Sequence, residues 1–509
     1  MLPTSNNNNP QEIETAENTP LLLSSSTNDN VINNNDVLED IALLQQEDDQ
    51  QNKILDFHES VFVTKKAIPV SLTYILQYSL QVASGSIELA ASALGSMYAT
   101  VTGWSVLFGA ATALDTLASQ AYTSGNPKMV GVFLQRGLAI ILLGFIPIAV
   151  SWWEAERILV FLGQDHEIAR LSALFTRYLL IGAPALLSFE ALKKYLQAQG
   201  IMKASTYVLI ICSPINIILN YALVWYPPVS LGFIGAPFAT SITYWLMLIL
   251  IIIYIKYFNG YQVWGGWTYM AFHDWLPFLK LALPGVIMVC AEWWAFELAA
   301  LAAGYLGSIA LAAQSIVLTT ACLFYQIPFG IAVSSSNRVG NLLGAGLGSR
   351  ARLASNVSLV LAVLVSMFNS IILLLLKDSW GYLFTEDKEV IDLVSSILPL
   401  CACFQISDAI SAVGGGILRG QGRQKIGAYL NLPVYYLIAF PVGTLLAFKY
   451  HWGLKGLWFG LAIASLSVGV GIIIAILCTD WQYEVEKVKL RANKHINHHT
   501  SINDSIIQF

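Results

Sequence analysis

The chain has 509 residues, of which 56% are hydrophobic and only 12% charged, against roughly a quarter charged in soluble domains. That balance excludes an ordinary soluble domain. The formal charge of −5 describes no real surface, because residues 1–60 hold twelve Asp/Glu and one Lys while the remainder is net basic.

Residues 1–60 are rich in Asn (Asn6 to Asn9, Asn33 to Asn35) and show no apolar period, so we read them as a disordered, acidic cytosolic tail. No basic end followed by a compact apolar core marks a signal peptide, so the first span is expected to direct membrane insertion. Within the tail, "ENTPLL" (17–22) and "EDIALL" (39–44) fit the loose acidic-dileucine pattern read by sorting adaptors. They make an endolysosomal or vacuolar membrane the alternative to the plasma membrane.

Crossing a bilayer takes about 20 mostly apolar residues. Residues 61–258 supply six such segments: Ala67–Ile87, Leu89–Leu114, the stretches near 130–153 and 170–196, and two within Ala204–Ile255. A cytosolic linker, 259–274, follows. Residues 275–480 supply six more: near 275–300, Leu298–Asn337, Leu353–Leu376, near 391–418, Ile426–Phe448 and Gly456–Thr479. Residues 481–509 form a C-terminal tail.

Lys and Arg collect at cytosolic ends. With the N-terminal tail inside, the even-numbered connections hold Lys128, Lys193, Lys194, Lys203, Lys256, Lys280, Arg338, Arg350, Arg352, Arg419, Arg423 and Lys425. The opposite connections hold Arg157, Arg170, Lys377, Lys388, Lys449 and Lys455. Both termini are therefore expected in the cytosol.

The halves also repeat. "GSIELAASAL" (85–94) and "GSIALAAQSI" (307–316) share six of ten positions at an offset of 222, as do "LQAQG" (196–200) and "LRGQG" (418–422) in part. An even number of spans separates the copies, so the expected fold is an all-α membrane protein. It has twelve transmembrane helices in two six-helix lobes, related by a pseudo-two-fold axis along the membrane normal. Such duplication suits a transporter that rocks two bodies about a central site. No nucleotide-binding loop is present, so direct ATP coupling is not expected; no catalytic pair points to an enzyme, and no nucleic-acid partner is expected.

An ionisable residue at mid-bilayer costs about 2.5–3.5 kcal/mol on insertion scales and marks a functional candidate. Glu292, Glu297 and Asp408 qualify. Five residues separate the two glutamates, about 140° around a helix, so they cannot form one tight pair, and Asp408 can approach either. A desolvated carboxyl holds a proton or a cation, not both, which is the physical core of antiport. Trp293, Trp294, Phe296 and Tyr325 offer π faces for a cation. Asp115 is expected to reach the cytosolic interface, Glu190 to pair along its helix with Lys193 and Lys194, and Arg177 lies in the fourth span. All seven histidines fall outside the spans, and the six cysteines read as buried small hydrophobes, so no metal or other cofactor is expected.

Several stretches carry a family likeness: "ALDTLASQAY" (113–122), "GVFLQRG" (131–137), "LGQDHEIARL" (162–171), "KYLQAQGI" (194–201), "WGGW" (264–267), "EWWAFE" (292–297), "RVGNLLGAG" (338–346) and "GGGILRGQGRQKIGA" (414–428). In their order and spacing the chain resembles the eukaryotic branch of the multidrug and toxic compound extrusion (MATE) family. The resemblance implies an exporter of organic cations or related metabolites in exchange for protons, with functional acids at Glu292, Glu297 and Asp408; a monomer is expected. Thr319 stands where animal relatives carry a glutamate, and the first span offers only Gln77 as a polar residue, so both join Trp293 and Tyr325 as cavity candidates. Sodium coupling, and an anionic or lipid-linked cargo, are the alternatives.

Overall fold

The computed structural model describes residues 86–493. Helix α1 (Ser86–Ala99) runs through a π turn at Thr100–Trp104 into α2 (Ser105–Thr123). Then come α3 (Met129–Trp153), the short α4 (Ala155–Phe161), α5 (His166–Ala198), α6 (Lys203–Val224) and α7 (Gly235–Tyr257). The second half comprises α8 (Trp275–Tyr305), α9 (Ser308–Gly344), α10 (Gly348–Trp380), α11 (Lys388–Gln421) and α12 (Gln424–Pro433). It continues through the π turn Val434–Ala439 into α13 (Phe440–Thr444), the π turn Leu445–Lys449 and α14 (Leu454–Leu477). A last helix, α15, covers 481–493.

Eleven stretches among the described residues are long and apolar enough to cross a membrane, from Ala90–Thr123 to Leu454–Leu477. They match the second to twelfth expected spans in order. The expected first span, Ala67–Ile87, lies outside the described residues but for its last two positions; Gln77 within it lies outside them too, as do the N-terminal tail and its dileucine patterns. The spans exceed the sequence-drawn runs because their polar ends stay helical: α5 is capped by Asp165, whose side chain accepts from the amides of Glu167 and Ile168, an N-cap that satisfies otherwise orphaned donors.

Lipid-facing stripes stay apolar, as at Ile217, Ile218 and Tyr221 of α6 and Leu364, Phe368 and Leu375 of α10, all exposed. Water would penalise such surfaces; acyl chains do not. Cys212, Cys290 and Cys401 are buried as small hydrophobes, but Cys403 and Cys478 are exposed, a departure that lipid tolerates for the same reason. Prolines inside spans leave carbonyls without their usual amide donor. Pro328 of α9 cannot serve the Phe324 carbonyl, which accepts instead from Asn369 Nδ2 of α10 at 3.2 Å.

Helix α2 joins the halves, packing on α3 and α5 of its own half and on α8 and α9 of the other. The approach to α8 is close enough to require glycine on both sides. A Cβ on Gly109 would meet the Val286 Cα at 2.6 Å, and one on Gly285 would strike Thr112 Oγ1.

The segment between the halves is tied to the first. Gln135 Nε2 donates to the Gly266 carbonyl at 2.7 Å and its Oε1 accepts from Thr268 N at 3.0 Å, while Arg136 Nη2 donates to the Met270 carbonyl at 3.0 Å. The C-terminal stretch is equally fixed, because α15, capped by Asp480, buries Trp481, Val485 and Val488. Lys193, Lys194, Arg338, Arg350 and Arg419, read from sequence as residues of the connections, are buried in the helix ends instead.

Candidate functional site

Helix α8 carries the site. It is apolar all round, as a helix buried in protein and lipid must be, and packs its Ala295 and Ala299 into the second half's core. Glu292 interrupts that surface and is half-buried. Opposite it, α11 presents Asp408, only 4% exposed. The two carboxylates lie within electrostatic reach of each other and of the Tyr325 and Tyr435 hydroxyls. No salt bridge and no side-chain hydrogen bond reaches either acid among the described residues.

The sequence-read candidates separate into groups. Tyr325 of α9 joins the acids and stacks on Phe329 at 5.5 Å between ring centroids. Glu297 is half-buried further along α8, with no charged or hydrogen-bonding partner among the described residues. Thus Asp408 meets Glu292 and not Glu297. Trp293 stands edge-on to Phe108 of α2 at 6.2 Å, and Trp294 donates from Nε1 to the Val101 carbonyl at 3.0 Å and to Ser105 Oγ at 3.2 Å. Both tryptophans therefore bind one half to the other. Phe296 packs edge-on to Phe404 inside the second half. Thr319 is half-buried on α9 without a side-chain hydrogen bond among the described residues.

Two contributors escaped sequence reading. Tyr435 sits in the π turn after Pro433, a geometry that recurs at functional positions; that proline inside an apolar run was the available signal. Asn431 donates from Nδ2 to the Met288 carbonyl at 3.0 Å and so holds α12 against α8 one turn below Glu292.

A second polar cluster lies at the basic end, between the halves. Asp115 of α2 is 3% exposed and does not reach water, contrary to expectation, because cations surround it. Lys194 Nζ of α5 pairs with Oδ1 at 2.7 Å, and Arg419 Nε of α11 stands 3.6 Å from Oδ2. Lys193 pairs with Glu190 at 2.6 Å, so the two lysines expected on one glutamate serve different acids. Around this centre Thr116 Oγ1 donates to the Arg419 carbonyl, Gln120 Nε2 to the Gly420 carbonyl at 2.9 Å, and Thr123 Oγ1 to the Asn341 carbonyl at 2.6 Å. Arg491 of α15 reaches Gln120 Oε1 at 3.1 Å. Burial lowers the Arg491 pKa from its ordinary value, and nearby Glu484 opposes that shift. His/Cys/Asp/Glu groups able to hold a metal are absent among the described residues. Arg177 lies apart from both clusters, over the Trp153 ring at 5.4 Å.

A bundle of apolar spans with isolated carboxyls inside one half defines a multi-pass integral membrane transporter. The family model described as MatE matches residues 69–222 and 284–445, one copy in each half. The Schizosaccharomyces pombe protein called Uncharacterized transporter C4B3.13 is 45% identical, over 84% of this chain and 81% of its own. Multidrug and toxin extrusion protein 1 of Homo sapiens is 37% identical, over 81% of this chain and 72% of its own. The crystal structure of the eukaryotic MATE transporter AtDTX14 superposes with a TM-score of 0.80 at 30% identity, covering 85% of this chain and 98% of that one. The chain belongs to the MATE family and has its all-α, two-lobe architecture, with eleven candidate membrane spans among the described residues; it is a transporter and not an enzyme.

Proposed function

We propose that the chain is a secondary antiporter that exports organic cations in exchange for protons, with Glu292 and Asp408 as the shared site. One observation carries this reading: two carboxylates lie within electrostatic reach of each other inside the second lobe, and among the described residues neither has a salt bridge. Two like charges so placed titrate as a unit, and a cation that displaces their proton is in turn displaced by one. Tyr325 and Tyr435 line the same place, and Glu297 offers an arriving cation a further carboxylate along α8. Names among the relatives, such as Multidrug and toxin extrusion protein 1, support a cationic, xenobiotic-like cargo.

The positive-inside rule puts the basic face in the cytosol, in the plasma membrane or an endolysosomal membrane. The protein works as a monomer and needs no cofactor beyond its coupling ion. The test is uptake of a cationic dye into proteoliposomes under an imposed pH gradient. Glu292→Gln and Asp408→Asn are each expected to abolish it while the protein still elutes as a folded monomer. Undiminished uptake in both variants, or uptake driven only by a sodium gradient, would overturn the assignment.

A further inference from the structure

Two copies of one short motif end two helices in the same way. "LQAQG" (196–200) closes α5 and "LRGQG" (418–422) closes α11. Their last residues, Gly200 and Gly422, both take the left-handed conformation at φ +76°, which glycine adopts without steric cost. In each copy the next amide turns back on the leucine carbonyl, Ile201 to Leu196 at 3.0 Å and Arg423 to Leu418 at 2.8 Å. The glycine amide takes the carbonyl after it, Gly200 to Gln197 at 2.9 Å and Gly422 to Arg419 at 3.0 Å. This Schellman arrangement leaves over the carbonyl of the third letter, Ala198 in one lobe and Gly420 in the other, and a buried carbonyl needs a donor.

Each lobe supplies the donor that the other lacks. Gln120 Nε2 of α2 donates to the Gly420 carbonyl at 2.9 Å, and Asn341 Nδ2 of α9 donates to the Ala198 carbonyl at 3.3 Å. The exchange follows the repeat, because at the 222-residue offset Ala198 falls on Gly420, and Asn341 falls on Ser119, next to Gln120. Helices α2 and α9 come this close because two side chains are missing: a Cβ on Gly340 would strike Ser119, and one on Gly344 the Gln120 carbonyl. Thr123 Oγ1 adds a bond to the Asn341 carbonyl at 2.6 Å, and Gln424 Nε2 of α12 one to Thr116 Oγ1 at 2.7 Å. Even so, the closed seam is not fully satisfied. Asn341 Oδ1, Gln424 Oε1 and Arg419 Nε are buried without a hydrogen-bond partner among the described residues, and water would supply one where the lobes part. Caps that favour closure and orphaned atoms that favour water oppose each other at this one contact.

We propose that Gln120 and Asn341 are a pair of positioning residues that set how readily the basic face opens, each lobe holding the other shut by capping the end of its repeat helix. When the lobes part there, both caps break, and the Ala198 and Gly420 carbonyls take water together with the orphaned atoms. When the lobes close, the caps re-form in one register, because each donor fits only the helix end that its counterpart has vacated. The inference uses the two-lobe transporter fold and neither Glu292 nor Asp408, so it stands apart from the proton-exchange reading.

Spin labels at Lys128→Cys and Lys425→Cys, exposed on opposite lobes of the basic face, report its opening by pulsed distance measurement after the six native cysteines are replaced by alanine. Gln120→Leu and Asn341→Leu are each expected to raise the long-distance population about fivefold, the worth of one net hydrogen bond. Thr123→Val should shift it the same way, and Thr123→Ser, which keeps the hydroxyl, should leave it at the parent value. Asn369→Leu breaks a bond inside one lobe; it should lower the melting midpoint and leave the distances as they were. Distances unmoved in both Gln120→Leu and Asn341→Leu, or moved as far by Asn369→Leu, make the caps ordinary scaffold and overturn the proposal. Where a leucine variant fails to fold, the threonine pair decides alone, and equal distances in Thr123→Val and Thr123→Ser overturn it.

Discussion

The two lobes share a backbone plan and part company in where they bury charge. At the 222-residue offset Asp115 corresponds to Asn337, Glu190 to Ala412 and Lys194 to Gly416, while Asp408 corresponds to Leu186 and Arg419 to Gln197. In the first lobe each buried acid has a lysine at 2.6 or 2.7 Å, close to the basic end. In the second, two acids sit at mid-span without a salt bridge among the described residues. Duplication supplied two equal bodies; divergence of a few positions made one a charge-paired frame and the other a titratable one. Paired buried ions hold geometry, and unpaired ones respond to what arrives.

Exchanging residues between the lobes breaks this contrast most sharply. Asp408→Leu, which installs the first-lobe residue, is expected to abolish pH-driven uptake without lowering the thermal melting midpoint, since replacing a buried acid by an apolar group is commonly neutral or stabilising. Asp115→Asn should do the reverse to stability, costing about 3–5 kcal/mol because Lys194 and Arg419 lose their common anion. Denaturant unfolding in detergent measures both, and a melting loss in Asp408→Leu equal to that in Asp115→Asn would erase the distinction.

A smaller effect sharpens it from the second lobe's scaffold. Asn369→Leu strips the substitute donor from the Phe324 carbonyl that Pro328 leaves unserved, at about 1–3 kcal/mol, again read by unfolding. The smallest concerns the tie between lobes: Arg491→Ala removes the hydrogen bond from α15 to Gln120, worth about 1 kcal/mol, and is expected to leave uptake within about twofold, a change near RT.

Most of the architecture was legible before any coordinates. Spans two to twelve follow from apolar runs of bilayer length, and the repeat from "GSIELAASAL" and "GSIALAAQSI". The acids stood out because a carboxyl in lipid needs a reason. What escaped were groups whose local sequence looks ordinary. Tyr435 is one tyrosine of a "YY" pair in an apolar run, and Arg419 read as one more basic residue of a connection. Residues 481–493 read as tail, since their apolar stripe of Trp481, Val485 and Val488 is short and flanked by charges.

Composition and period by themselves determined that the chain dissolves in a membrane, that it does so twice over with the same plan, and that Glu292, Glu297 and Asp408 are expensive there. Hydrophobic burial is a property of individual segments, so it shows in a linear text. Which acid meets which depended on the crossing of α8, α9 and α11, and only the tertiary structure set Glu292 beside Asp408 and left Glu297 apart. It alone sent Lys194 to Asp115 rather than Glu190 and placed Arg419 between the lobes. Electrostatic pairing varies with distance through space, and residues hundreds of positions apart acquire that distance only when the helices pack.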